Sequence, residues 1–89
     1  MNYKCPCCGF YTFKEKPDGN YDICPVCFWE DDPVQSNDEN FEGGANRASL
    51  KQARENFINF GACEEEYVKF VRPPFDDEKS GSGHNRSAE

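Results

Sequence analysis

The chain has 89 residues, a formal net charge of −7, and only fifteen large apolar side chains of the Leu, Ile, Val and Phe types: one, two, four and eight respectively. That length holds one domain, and so thin an apolar complement under so much negative charge falls in the range of chains that cannot fold on burial alone. Thirteen aromatics and six cysteines argue against disorder, leave the cysteines as the only candidate staple, and contain no run of about 18 apolar residues that would cross a membrane.

In chain order, Cys5-Pro6-Cys7-Cys8-Gly9 comes first. Phe10-Tyr11-Thr12-Phe13 is aromatic and β-branched, Pro17-Asp18-Gly19-Asn20 is a turn cluster, and Tyr21-Asp22-Ile23 alternates again. Together these predict strand, turn, strand, with each arm abutting a cysteine pair. After Cys24-Pro25-Val26-Cys27 and the aromatics Phe28 and Trp29, residues 30–48 carry Pro33, Gly43, Gly44 and several Asn without any period, which predicts an extended acidic loop. A helix is predicted from Leu50 to Phe60. Ser49 stands three residues ahead of Gln52, a capping-box spacing, Leu50, Ala53, Phe57 and Phe60 fall on one face, and Gly61 supplies the stop. A second short helix is predicted from Glu64 to Val71, acidic at its positive end, basic at its negative end and closed by Pro73-Pro74. The domain is thus expected to span residues 1–74, with 75–89 a disordered polar tail that includes the single histidine, His84.

The two C-x2-C units Cys5/Cys8 and Cys24/Cys27, fifteen residues apart, match the template of a four-thiolate metal site. A two-residue gap lets the chain turn tightly enough to bring both sulfurs to about 2.3 Å from one Zn2+. Pro6 and Pro25 fix φ in each turn, and Gly9 permits a left-handed residue where the backbone doubles back. Zinc is the expected ion. Iron is the alternative, in a rubredoxin-like electron carrier or thiol redox protein. It is disfavoured because Phe28 stands where that family has Gly and because the two pairs lie closer together than they do there. Cys63 is expected to be a small buried hydrophobe. Cys7, inside the first knuckle, is displaced as a ligand by the matching Cys5/Cys8 spacing. No histidine stands near either thiol in the sequence.

Charge narrows the partners. Residues 30–42 hold Glu30, Asp31, Asp32, Asp38, Glu39 and Glu42 with no base. Phosphate binding needs a basic footprint, so nucleic acid is disfavoured and a basic protein partner expected, with Trp29, Glu30, Asp31 and Asp32 as its candidate surface. A calcium loop aligned on Asp31 fails, since Pro33 and Ser36 occupy positions that need a ligand oxygen and a Gly. The N-terminus has no apolar stretch after Lys4, so no export signal is read there and a cytoplasmic location is expected.

The run Cys5-Pro6-Cys7-Cys8-Gly9, then Cys24-Pro25-Val26-Cys27-Phe28-Trp29-Glu30-Asp31-Asp32, then Gly43-Gly44-Ala45-Asn46 and Phe60-Gly61-Ala62-Cys63, resembles the cysteine-rich CPCC family of small, mainly bacterial proteins. The resemblance implies a zinc-ribbon-like module and names no substrate. The expected fold is small α+β. A zinc-bound β-hairpin with two knuckles is followed by an acidic loop and one or two short helices, with Phe10, Phe13, Tyr21, Phe28, Trp29, Phe57 and Phe60 as the core. The expected function is a non-enzymatic interaction module of the adaptor or inhibitor kind, monomeric or weakly dimeric, built on structural zinc.

Overall fold

A computed structural model describes residues 2–79. Its helices are α1 (Pro33–Asn37), α2 (Leu50–Phe60), a 3-10 helix (Glu65–Phe70) and α3 (Asp76–Lys79). Among the described residues, none of these is long and apolar enough to cross a membrane.

The arms 10–13 and 21–23 do not pair with each other. The β structure among the described residues consists of two isolated antiparallel bridges, Tyr3 with Phe13 and Ile23 with Glu30, each enclosing its own cysteine pair. The hairpin expectation therefore gives way to two separate knuckles. In the first, the Cys5 amide donates to Phe10 O (2.8 Å) and the Gly9 amide to Cys5 O (2.9 Å). In the second, the Cys24 amide donates to Trp29 O (2.9 Å) and the Phe28 amide to Cys24 O (2.8 Å). Backbone groups that a hairpin ladder would use are spent inside each knuckle, and an arm of three or four residues has too few left over to pair with the other.

The acidic segment is not an extended loop. Asp32 caps α1, accepting the amides of Val34 (2.8 Å) and Gln35 (3.3 Å) on Oδ1 and that of Ala45 (2.8 Å) on Oδ2. Gln35, fully buried, is the hub of the segment. Its Nε2 donates to the carbonyls of Phe41, Asn46 and Ala48, and its Oε1 accepts from the amide and side chain of Asn46. Asn46 in turn exchanges two bonds with the backbone of Glu30, at 2.8 and 2.7 Å. Gly44 is fixed by closeness, because a Cβ there would meet Asp32 Oδ2 at 2.6 Å and Gln35 at 2.9 Å.

The α2 helix follows its predicted bounds. Ser49 Oγ accepts from the Gln52 amide (3.1 Å), and Gly61 closes the helix at φ 87° with its amide on Phe57 O, a left-handed cap that suits glycine. Leu50 and Ala53 are buried and Phe57 packs against the core from its edge. The predicted second helix is the tighter 3-10 form, and its Tyr67 and Phe70 rings lie 4.8 and 5.6 Å from the Phe28 ring.

The core differs from the predicted aromatic cluster. Phe13 and Trp29 are buried, and Phe10, Phe28 and Phe57 are partly so, but Tyr21 is 50% and Phe60 43% exposed. Among the described residues, five of the eleven buried hydrophobic ones are cysteines: Cys5, Cys7, Cys24, Cys27 and Cys63. The domain also runs past residue 74. Glu78 is buried, its carboxylate accepts both Arg72 guanidinium nitrogens at 2.9 Å and the Phe75 amide at 2.8 Å, and its carbonyl takes the Tyr11 amide at 2.8 Å. Residues 75–79 are therefore structured, contrary to the tail expectation. The rest of that segment, with His84 and Ser80-Gly81-Ser82-Gly83, lies outside the described residues.

Candidate metal centre

Each knuckle presents two sulfurs to the space between them. The Sγ atoms of Cys5, Cys8, Cys24 and Cys27 all lie within 4.8 Å of one another, with Cys5 to Cys27 at 3.6 Å and Cys8 to Cys24 at 3.8 Å. A tetrahedral ion with bonds of about 2.3 Å requires sulfur separations of about 3.8 Å. The two measured separations meet that requirement, and each spans from one knuckle to the other. Four soft donors in this arrangement could hold a single thiophilic ion.

The knuckles correspond position for position in sequence and in backbone hydrogen bonding, Pro6 with Pro25, Cys7 with Val26, Gly9 with Phe28 and Phe10 with Trp29. Gly9 and Phe28 are both left-handed, at φ 81° and φ 72°. The turn thus imposes that conformation whatever the residue, at a cost of about 1–2 kcal/mol for a side chain. Phe28 is held in it by the Tyr67 and Phe70 rings. Its presence in place of Gly is therefore no argument against iron, because the backbone follows the same path. The same equivalence explains Cys7: it fills the small buried place that Val26 fills in the second knuckle.

The electrostatics of four crowded sulfurs without an ion are unequal. Hydrogen bonds from Cys27, Cys5 and Cys8, with Thr12 adding another at 3.0 Å, hold the Cys24 thiol far below its ordinary value. Cys5 and Cys27 move up, each chiefly through its hydrogen bond to Cys24, with burial adding to the rise. These shifts favour the thiolate at Cys24 and the protonated thiol at Cys5 and Cys27. Two amides also point at sulfur, Val26 to Cys24 Sγ and Trp29 to Cys27 Sγ, both at 3.4 Å. Cys63, 1% exposed, has its thiol pushed up to about 12 by burial and by the neighbouring Cys7, a poor setting for a nucleophile.

The chain matches the family described as Cysteine-rich CPCC over residues 3–78. The chain belongs to the cysteine-rich CPCC family. The CPCC motif that names it is Cys5-Pro6-Cys7-Cys8 of the first knuckle, and the matched region ends at Glu78, the residue whose carboxylate anchors Arg72 and whose carbonyl reaches Tyr11. No curated protein matches the chain.

The candidate partner surface beside the second knuckle is not displayed. Trp29 and Asp31 are fully buried and Asp32 is 6% exposed, leaving Glu30 half-buried. Asp31 accepts the Gly19 amide (3.0 Å) and the Ser36 hydroxyl (3.3 Å), and Asp32 caps α1. The Trp29 indole N–H meets no hydrogen-bond partner, so the ring serves by its bulk. Charge marks these residues as the candidate surface for a basic partner. Short acids beside Pro33 at a helix start were the signal that they would turn inward.

Proposed function

We propose that this CPCC-family protein is a structural-zinc interaction module, in which one Zn2+ held by Cys5, Cys8, Cys24 and Cys27 fixes the two knuckles and the outer surface binds a basic protein. The observation that carries the metal half of this reading is the four-sulfur cluster spanning two otherwise unpaired knuckles. A four-thiolate shell leaves no open position for water, so the ion's role in this reading is architectural. The partner half is supported by charge. Of the acids in the 30–42 segment, Asp38 and Glu42 stay exposed with no cation paired to them among the described residues, and the net charge of −7 steers cationic surfaces inward.

Elemental analysis and native mass spectrometry of protein purified without added metal test the first half. One zinc per chain and no visible absorbance is the expected result, and a red, reducible sample assigns iron instead. Capture from the native host at low salt tests the second. Basic proteins that elute as salt rises are expected, and recovery of nucleic acid without protein would sink the reading.

A further inference from the structure

The two knuckles share a backbone but not a degree of protection. Cys24 receives the Val26 amide and the Thr12 hydroxyl, and Cys27 receives the Trp29 amide; both are fully buried. The first knuckle shows no counterpart among the described residues, since neither Cys5 nor Cys8 accepts an amide. Cys8 is also the one sulfur of the four that is only half-buried. It lines an open cavity of about 340 Å³ together with Lys4, Cys5, Pro6, Cys7, Gly9 and Arg54, and of the two ligand cysteines there Cys5 is buried while Cys8 is not. Arg54 is held there by donating to Pro6 O at 2.9 Å and pairing with Glu39 at 3.1 Å, while the exposed Lys4 side chain lies over Gly9. Two cationic side chains, Lys4 and Arg54, thus line the same cavity as Cys8, the least buried of the four ligand cysteines.

Hydrogen bonds to a thiolate draw off its electron density, and reactivity of sulfur follows thiolate character and access. We propose that Cys8 is an oxidative modification site, at which peroxide enters the metal centre and from which the metal is released. The Cys8 thiolate attacks one peroxide oxygen, the O–O bond breaks, and hydroxide leaves and is protonated to water, giving a sulfenic acid on Cys8. The Cys5 sulfur then attacks the Cys8 sulfur, the S–O bond breaks, and the second oxygen leaves as water. One peroxide is reduced to two waters, two thiols become one Cys5–Cys8 disulfide, and two of the four ligands are lost. Cys24 Sγ stands 3.8 Å from that of Cys8 but is engaged by the Val26 amide and the Thr12 hydroxyl. Cys5 shares the C-x2-C turn with Cys8, within 4.8 Å and with no amide on its sulfur, and is therefore the resolving residue, whereas a bond between adjacent Cys7 and Cys8 would strain the peptide linking them.

This inference rests on the metal reading, and the experiment separates the two. The metal content of the full chain is measured first, and a chain purified without metal defeats the metal reading before any reagent is added. The loaded protein is then treated with less than one equivalent of N-ethylmaleimide and, separately, of hydrogen peroxide, with peptide mapping by mass spectrometry and released metal read by a colorimetric chelator. The expected result is first alkylation at Cys8, and one metal released per peroxide with a Cys5–Cys8 disulfide, reversed by dithiothreitol and fresh metal. Lys4→Gln is expected to slow release severalfold with the metal stoichiometry unchanged. First labelling at Cys7, Cys24, Cys27 or Cys63, equal labelling of all four cluster sulfurs, or release without that disulfide would overturn the proposal.

Discussion

Loading the site with metal is expected to release at least two protons per ion at neutral pH. Cys5 and Cys27 stand 3.6 Å apart, and two thiolates at that distance repel by about 5 kcal/mol at an effective dielectric of about 20. They cannot share the interior as bare charges. In the ion-free cluster the charge settles on Cys24, stabilised by its sulfur neighbours and Thr12, while Cys5 and Cys27 are pushed up and keep their protons. Coordination needs all of them deprotonated, so protons compete with the metal and affinity falls as the pH falls. Two protons make that fall about 100-fold per pH unit on the acid side of neutrality. If the ion-free chain also unfolds, its four ligand cysteines revert to ordinary thiols, protonated at neutral pH, and the count rises towards about four. Indicator-dye measurement of protons released in weak buffer, together with chelator competition between about pH 6 and 8, reads both quantities. A release of one proton or fewer, or an affinity that does not change with pH, would refute the reasoning.

Other expectations follow from particular contacts. Cys7→Val should keep the metal at one equivalent, because Val26 occupies the same place in the second knuckle, whereas Cys24→Ser should lose it; elemental analysis of the purified variants decides. Gln35→Leu strands the carbonyls of Phe41, Asn46 and Ala48 at about 1–3 kcal/mol for each unpaired group, so urea unfolding of the metal-saturated variant should show a loss of about 3 kcal/mol or more. A loss under about 1 kcal/mol would mean that water replaces the network. Glu78→Gln should loosen α3 by removing its ion pair with Arg72, seen as faster amide exchange over residues 72–79. In the parent, the Arg72 guanidinium and the Phe75 amide hold the Glu78 carboxyl below its ordinary value. Its contribution is therefore complete above the unfolded value of about 4.3 and disappears as the pH falls through the lower folded value, so the same acceleration should appear in the parent in acid.

What was legible in the sequence was local. The C-x2-C spacing, the prolines and Gly9 each act within five residues, and the cap Ser49 and stop Gly61 act within α2, so all of them survived translation into structure. What was missed depends on residues far apart in the chain. Asn46 pairs with Glu30, and Gln35 with Ala48, across a segment with no period to announce them, which is why an ordered network read as an acidic loop. Glu78 looked like part of a polar tail because its partners, Arg72 and the Tyr11 backbone, give no signal in composition. The aromatics were assigned to the core by size, yet Tyr21 and Phe60 remain outside because the sulfur cluster already occupies the centre.

That occupancy explains how so acidic a chain folds with so few aliphatic residues. Nearly half of the buried hydrophobic residues described are cysteines, and three of them, Cys5, Cys24 and Cys27, belong with the half-buried Cys8 to a sulfur cluster that a bound ion would neutralise. A structural zinc site contributes apparent binding free energies of about 10–16 kcal/mol, on the scale of an entire domain's stability. Apart from Thr12 reaching Cys24 and the sulfur contacts of the cluster itself, the knuckles share little hydrogen bonding with each other, so the ion is what would join them. Complete removal of metal by a strong chelator should then separate the knuckles and collapse the far-UV circular dichroism of α2, which packs on the same cluster through Leu50 and Ala53. A spectrum unchanged in metal-free protein would mean that the aromatic contacts of Phe28 with Tyr67 and Phe70, together with the Gln35 network, suffice without the ion.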